Sequence, residues 1–217
     1  MTKYVTILGP DLVQPLAILL ENLLRLPTPS DGKSRHGHER GYAATVCLLT
    51  AILVESFVMR AKYLNAKEES VKKRSVHEFM ATQYPDFDSH DELVEMFVLR
   101  DVIAHNDLWE IESSAYRNIW TELLSKAIHP LTDKLKDKKY RNSVDIEDAR
   151  TKILCLHVIP TQIERSDAAK VMKIAGRTLG FLSEKQGAIL GVDATLARFR
   201  GKALNLRAIL NEAISAI

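Results

Sequence analysis

The segment VLRDVIAHNDLW, residues 98–109, sets Arg100, Asp101, His105 and Asn106 among aliphatic side chains. An arginine fork grips carboxylate or phosphate oxygens in pairs, and an imidazole exchanges protons near neutral pH. On a helical wheel of about 100° per residue, Arg100 falls near Leu93, Met96, Phe97 and Ala104, in the middle of an apolar face. A desolvated guanidinium is costly unless an acidic group or a phosphate meets it. Asp101 and His105, four residues apart, share a neighbouring face with Val94 and Val98. On this helix only Glu95 reads as solvated. Glu55 has the same difficulty as Arg100 with opposite sign, standing alone in the apolar run LLTAILVESFVM, so the two are expected to face each other. A structural ion pair accounts for Arg100 alone, and a helix-terminal position favoured by the macrodipole accounts for His105 alone. The spacing of the two adds a functional reading.

The elements that must position these groups follow from hydrophobic period and punctuation. Pro10 and Asp11 open a helix to about residue 24, with Leu12, Leu16, Leu19, Leu20 and Leu23 at helical spacing. A polar loop follows, and a long, nearly all-apolar helix is expected over 39–64, buried on several sides. The charged stretch 65–79 reads as a surface helix or loop, and YPDFDSHDE breaks it. Ser89 and Glu92 make an S-x-x-E capping box, so the helix bearing Arg100 should start near His90 and end near Asn106. A fourth helix fits 113–136, striped by Tyr116, Trp120, Leu123, Leu124, Ala127 and Leu131, with Pro130 kinking or interrupting it. ILCLHVIP reads as a short strand or buried extended segment. Ser166 caps a fifth helix to about Glu184, Gly187 and Gly191 punctuate, and a last helical pattern reaches Ile217. The class is all-α: one helical domain over 1–217, with a core at about 10–140 and a helical extension at about 150–217.

Composition narrows the function classes. The 217 residues are 46% hydrophobic and 27% charged, enough for a folded core, and 9 Gly and 7 Pro leave little turn chemistry. A net charge of +2 is low for a dedicated non-specific nucleic-acid binder, while leaving room for a local basic patch. Cys47 and Cys155 stand far apart, which argues against a disulfide framework or zinc motif and suits a reducing cytoplasm. Asp11 and Glu21 make the N-terminus a poor signal peptide. The longest uncharged run, 41–54, is 14 residues, short of a membrane span, and reads as a buried core helix.

RDVIAH, with its Arg, polar neighbour and His, resembles the R-x(4–6)-H signature of the HEPN superfamily of helical, nucleotide-binding domains. Asp101 matches the polar residue that often follows the Arg, and Glu55 matches the lone acid of a preceding long apolar helix. The resemblance covers about residues 10–140 and implies an up-and-down helical bundle. Many members are metal-independent endoribonucleases of toxin–antitoxin, abortive-infection and other defence systems. It implies RNA as substrate, no cofactor, a cytoplasmic setting, and an antitoxin or second defence protein as partner. Cleavage would run by attack of the ribose 2′-OH, with His105 as general acid or base and Arg100 as phosphate clamp. Asp101 would orient the imidazole or pack the site. Asn106 would contact the scissile region or cap the helix. It also implies a homodimer, so that two R…H pairs line one cleft. The nearly all-round apolar character of the Arg100 helix agrees, since excess apolar surface marks an interface. In one branch the motif continues H-x-Tyr, the Tyr being modified by a nucleotidyltransferase antitoxin. Position 107 is Asp here, which puts that control in doubt. The alternative is a HEPN-like module that binds RNA or nucleotide without catalysis. A purely structural helical protein is the third reading.

Two other groupings carry chemistry. His36 and His38 lie in a Gly-containing loop without a third metal ligand at a known spacing, so a polar loop is preferred to a metal pair. The basic run 134–142 reads as a solvated helix end, or as an RNA contact with Tyr140 stacking on a base.

Overall fold

The structure is a computed structural model and describes residues 9–27, 37–65, 75–105, 108–111, 128–130 and 137–217. Among them helix dominates. Helix α1 (Gly9–Arg25) buries Val13, Leu16, Ala17, Leu20 and Leu23, one stripe at helical period. Its first residue has to be small. A Cβ on Gly9 would lie 2.9 Å from the Phe57 ring, and the Gly9 amide donates to Ser56 Oγ. Helix α2 (Gly37–Asn65) packs on α1 and on three further helices, so its apolar residues are spent in several directions. By length and composition His38–Asn65 could cross a bilayer, because the apolar run continues past Glu55. Half of its most apolar 18-residue window is buried among the other helices.

Helix α3 (Val76–Gln83) carries a full capping box, with the Ser75 hydroxyl accepting from the Glu78 amide and the Glu78 carboxylate accepting from the Ser75 amide. Helix α4 (His90–His105) starts where its S-x-x-E pattern predicts, but Ser89 Oγ donates to Asp88 and Glu92 pairs with Arg177. Short antiparallel strands β1 (Trp109–Ile111) and β2 (Ile128–Pro130) pair with each other. Pro130 therefore ends a strand and not a helical turn. The rest of the helix expected over 113–136 lies outside the described residues. Helix α5 (Lys138–Ser143) leads into the pair β3 (Val144–Asp145) and β4 (Arg150–Thr151). In ILCLHVIP, Ile153 and Leu154 form a turn, while Leu156, His157, Val158 and Ile159 are a buried stretch in which His157 makes one antiparallel bridge to Arg150.

Helix α6 (Arg165–Gln186) is capped by Glu164 with Asp167 at its third position, not by Ser166. Its buried side chains Ala168, Val171, Met172, Ala175, Leu179 and Leu182 join the core built on α2. The stretch after Gly191 is not continuous helix. Strands β5 (Leu196–Phe199) and β6 (Lys202–Asn205) form a hairpin before helix α7 (Leu206–Ala216). Its turn places Arg200 at φ 49° and Gly201 at φ 81°, a left-handed pair that suits Gly. Helices α1, α2, α6 and α7 pack each on the next, α7 closing back on α1, and α4 lies on α2 and α6. Residues 150–217 are therefore integral to the bundle and not appended to it. The described residues hold three small strand pairs where the sequence suggested one strand.

Buried polar groups tie these parts together. Asp167, fully buried, accepts from the amides of Glu164 and His157 and from His157 Nδ1. Arg150 donates to Nε2 of the same ring at 2.8 Å. Arginine only donates, so Nε2 must be the bare nitrogen and Nδ1 must carry the proton. Arg165 joins Glu39 at 2.8 Å and the Leu26 carbonyl at 2.6 Å, fixing the start of α2 to α6.

Candidate functional site

Arg100 leaves α4 towards α2, and its Nη2 lies 3.6 Å from Glu55 Oε2. The facing pair expected from the two apolar runs is present. The guanidinium is not fully enclosed, however: a quarter of the side chain is exposed, and Ala104, expected on the same apolar face, is exposed. Arg100 Nε approaches Asp101 Oδ1 to 3.0 Å, yet this buried N–H finds no aligned acceptor. The Arg100 side chain also covers the Phe97 ring, with Cζ 5.5 Å from its centroid. Arg100 is thus compensated in charge by two carboxylates while, among the described residues, its N–H donors make no directed hydrogen bond.

Asp101 works in two directions. One oxygen faces Arg100, and the other accepts from Lys139 Nζ of α5. Glu55, Arg100, Asp101 and Lys139 form an alternating array across α2, α4 and α5. In the sequence Lys139 is one lysine of the basic run 134–142. Nothing in that run marks one lysine as the partner of an acid 38 residues earlier. Tyr140, next to it, is buried among Val98, Val102, Val144 and Val158, so it is no platform for a base.

Beyond Lys139 opens a cleft of about 710 Å³, lined by His77, Asp91, Glu95, Lys138, Lys139 and Lys152 among others. Burial, with the nearby Lys139 ammonium adding to it, holds the His77 pKa below the ordinary imidazole value. Glu95 reverses its expected role. It is buried, and its two oxygens accept from the amides of Ile153 and Leu154 at 2.8 and 2.7 Å. A lone carboxylate on an apolar helix marks either solvent or a demanding backbone turn, and helix periodicity does not separate the two.

His105 ends α4 and is exposed. Five helical residues turn it about 140° from Arg100 and carry it about 7.5 Å along the axis. The two do not share a helix face. Asn106 lies outside the described residues, as does His36; His38 is exposed. Among the described residues no three His, Cys, Asp or Glu side chains gather as a metal set.

The second apolar face of α4 is covered within the chain. Val98 and Val102 pack with Leu108, Tyr140, Val144, Val158 and Ile159. The apolar excess read as a dimer interface is therefore spent on α5 and on the 144–159 segment. No family model, curated protein or solved structure matches the chain.

Proposed function

We propose that the chain is a metal-independent endoribonuclease of HEPN type, cytoplasmic, acting as a toxin or defence protein with an antitoxin or second defence protein as its partner. The observation that supports this best is Arg100. Two carboxylates hold its charge in place without consuming its donors, which suits a fork kept ready for a phosphate. In the proposed reaction the 2′-oxygen of a ribose attacks the adjacent phosphorus and the P–O5′ bond breaks. The 2′-OH proton passes to a base, and a proton is delivered to the leaving 5′-oxygen. The products are a 2′,3′-cyclic phosphate and a 5′-hydroxyl. Arg100 stabilises the charge on the phosphoryl oxygens, and His105 handles one of the protons. Glu55 and Asp101 position Arg100. Because Arg100 and His105 occupy different faces of α4, two copies related in a homodimer would supply the full set of groups at one cleft. Incubating the protein with RNA in EDTA and identifying the termini tests the reading. The same divergence of Arg100 and His105 favours a second reading, a HEPN-like module that binds RNA or nucleotide without cleaving it. Binding without cleavage would select it.

A further inference from the structure

At the far end of α1 from Glu55, the turn of the β5–β6 hairpin gathers cations. Gly9 of α1 sits at Ser56, and Glu21 lies about 18 Å further along the helix axis. There Glu21 accepts from the Arg200 amide and pairs with Arg25 at 3.3 Å. About two turns back along α1, Gln14 docks on the Arg198 backbone, its oxygen accepting from the amide and its nitrogen donating to the carbonyl. The hairpin is held at its backbone and by buried Ala197 and Phe199, while the Arg198 and Arg200 side chains face outward. Arg198 and Arg200 are exposed, and among the described residues neither guanidinium meets a carboxylate. Arg200 lines two cavities of about 450 and 440 Å³, one shared with Arg25 and Gly201, the other with Lys202 and Asn211. Among the described residues Arg25 pairs with Glu21, which also accepts from the Arg200 amide, and Lys202 pairs with Glu212 at 2.9 Å. Two exposed guanidinium forks on a fixed backbone, with two open hollows beside Arg200, suit the phosphate oxygens of a nucleic-acid strand.

We propose that the β5–β6 hairpin tip is a phosphate-binding surface for the backbone of single-stranded RNA, remote from Arg100, with Arg198 and Arg200 as its principal contacts. The choice of RNA as the polyanion rests on the nuclease reading; the basic surface does not. A surface of this kind anchors substrate without reading its sequence.

The test is binding of a short 2′-O-methyl oligonucleotide, which lacks the attacking hydroxyl, followed by fluorescence anisotropy from low to physiological salt. The variant is Arg198→Gln with Arg200→Asn, because Asn tolerates the left-handed φ of position 200. It should bind about tenfold more weakly at low salt, with the slope of log affinity against log salt reduced by about 1.4, two phosphate contacts of a single strand. Arg198→Lys with Arg200→Lys, which keeps the charge, should retain most of the slope. Unchanged affinity in the Gln/Asn variant, or weaker binding with an unchanged slope, overturns the proposal. So does hairpin-dependent binding to phosphatidylserine vesicles by a wild-type protein that ignores the oligonucleotide. Cleavage of unmodified RNA, run in parallel, separates the two ideas. Hairpin-dependent binding without cleavage removes the nuclease reading and leaves this one standing. Cleavage with hairpin-independent binding does the reverse.

Discussion

At the scale of single residues, Arg100 is held between Glu55 and Asp101. Arg100→Ala would leave Glu55 and Asp101 facing each other's charge across α2 and α4 with one cation fewer. With a quarter of the side chain exposed, the stability lost should be modest, about 1 kcal/mol by denaturant titration, while cleavage is abolished. Arg100→Lys should recover most of that stability and none of the cleavage, because an ammonium lacks the planar fork. Recovery of cleavage by Lys would count against the clamp. The pairing with Glu55 could be read from sequence, since two opposite charges stranded in apolar runs need each other. Lys139 could not, because an acid on a half-buried helix face has many candidate cations and no periodic signal chooses among them. His77 carries a separate prediction. Its folded pKa is lowered, chiefly by burial, so its contribution to stability is fully present above the unfolded value of 6.5. That contribution is lost as pH falls through the lowered folded value. His77→Gln should flatten the stability–pH curve over this window, and an unaltered curve would remove His77 from the account.

At the scale of elements, period and punctuation located α1, α2 and α4 to within a residue or two, because α1 buries one stripe at helical period and α2 and α4 are apolar runs too long for a strand, bounded by polar stretches. The C-terminal part carries a weaker periodic signal. The hairpin β5–β6 lies between helices in a stretch whose Leu, Ala and Arg content also suits a helix, and only the Arg200–Gly201 turn separates the strands. Asp167 was not singled out from sequence, yet it holds the 150–158 segment to α6 by accepting from His157 twice and from the Glu164 amide. Asp167→Ala leaves these donors buried and unpaired, and should cost about 3 kcal/mol in chemical denaturation. A loss under about 1 kcal/mol would mean that solvent reaches the cluster. The thiols report on the same packing. Burial, with the Asp167 charge adding to it, pushes the Cys47 thiol up, while Cys155 is exposed. In the native protein a thiol reagent at mildly alkaline pH should modify Cys155 alone, with Cys47 reacting on unfolding. Equal rates for both would contradict the packing of α2.

At the scale of the whole molecule, the bundle of α1, α2, α6 and α7 sets α4 on its side, with α5 and the 144–159 segment covering the other face of α4. Assembly into a dimer therefore cannot be argued from leftover apolar surface on α4, and rests on the chemistry alone. Sedimentation at micromolar concentration should show a dimer whose cleft brings together one copy's Arg100 with the other's His105. Mixing Arg100→Ala with His105→Ala chains should then restore part of the cleavage that each variant lacks. The proposed cleavage of RNA by Arg100 and His105 through the ribose 2′-OH is read most directly from the chemistry of the ends. Wild-type protein in EDTA should leave 2′,3′-cyclic phosphate and 5′-hydroxyl termini, and folded His105→Ala should leave the RNA intact. Cleavage that vanishes in EDTA and returns with Mg²⁺, or that persists in His105→Ala, would contradict it.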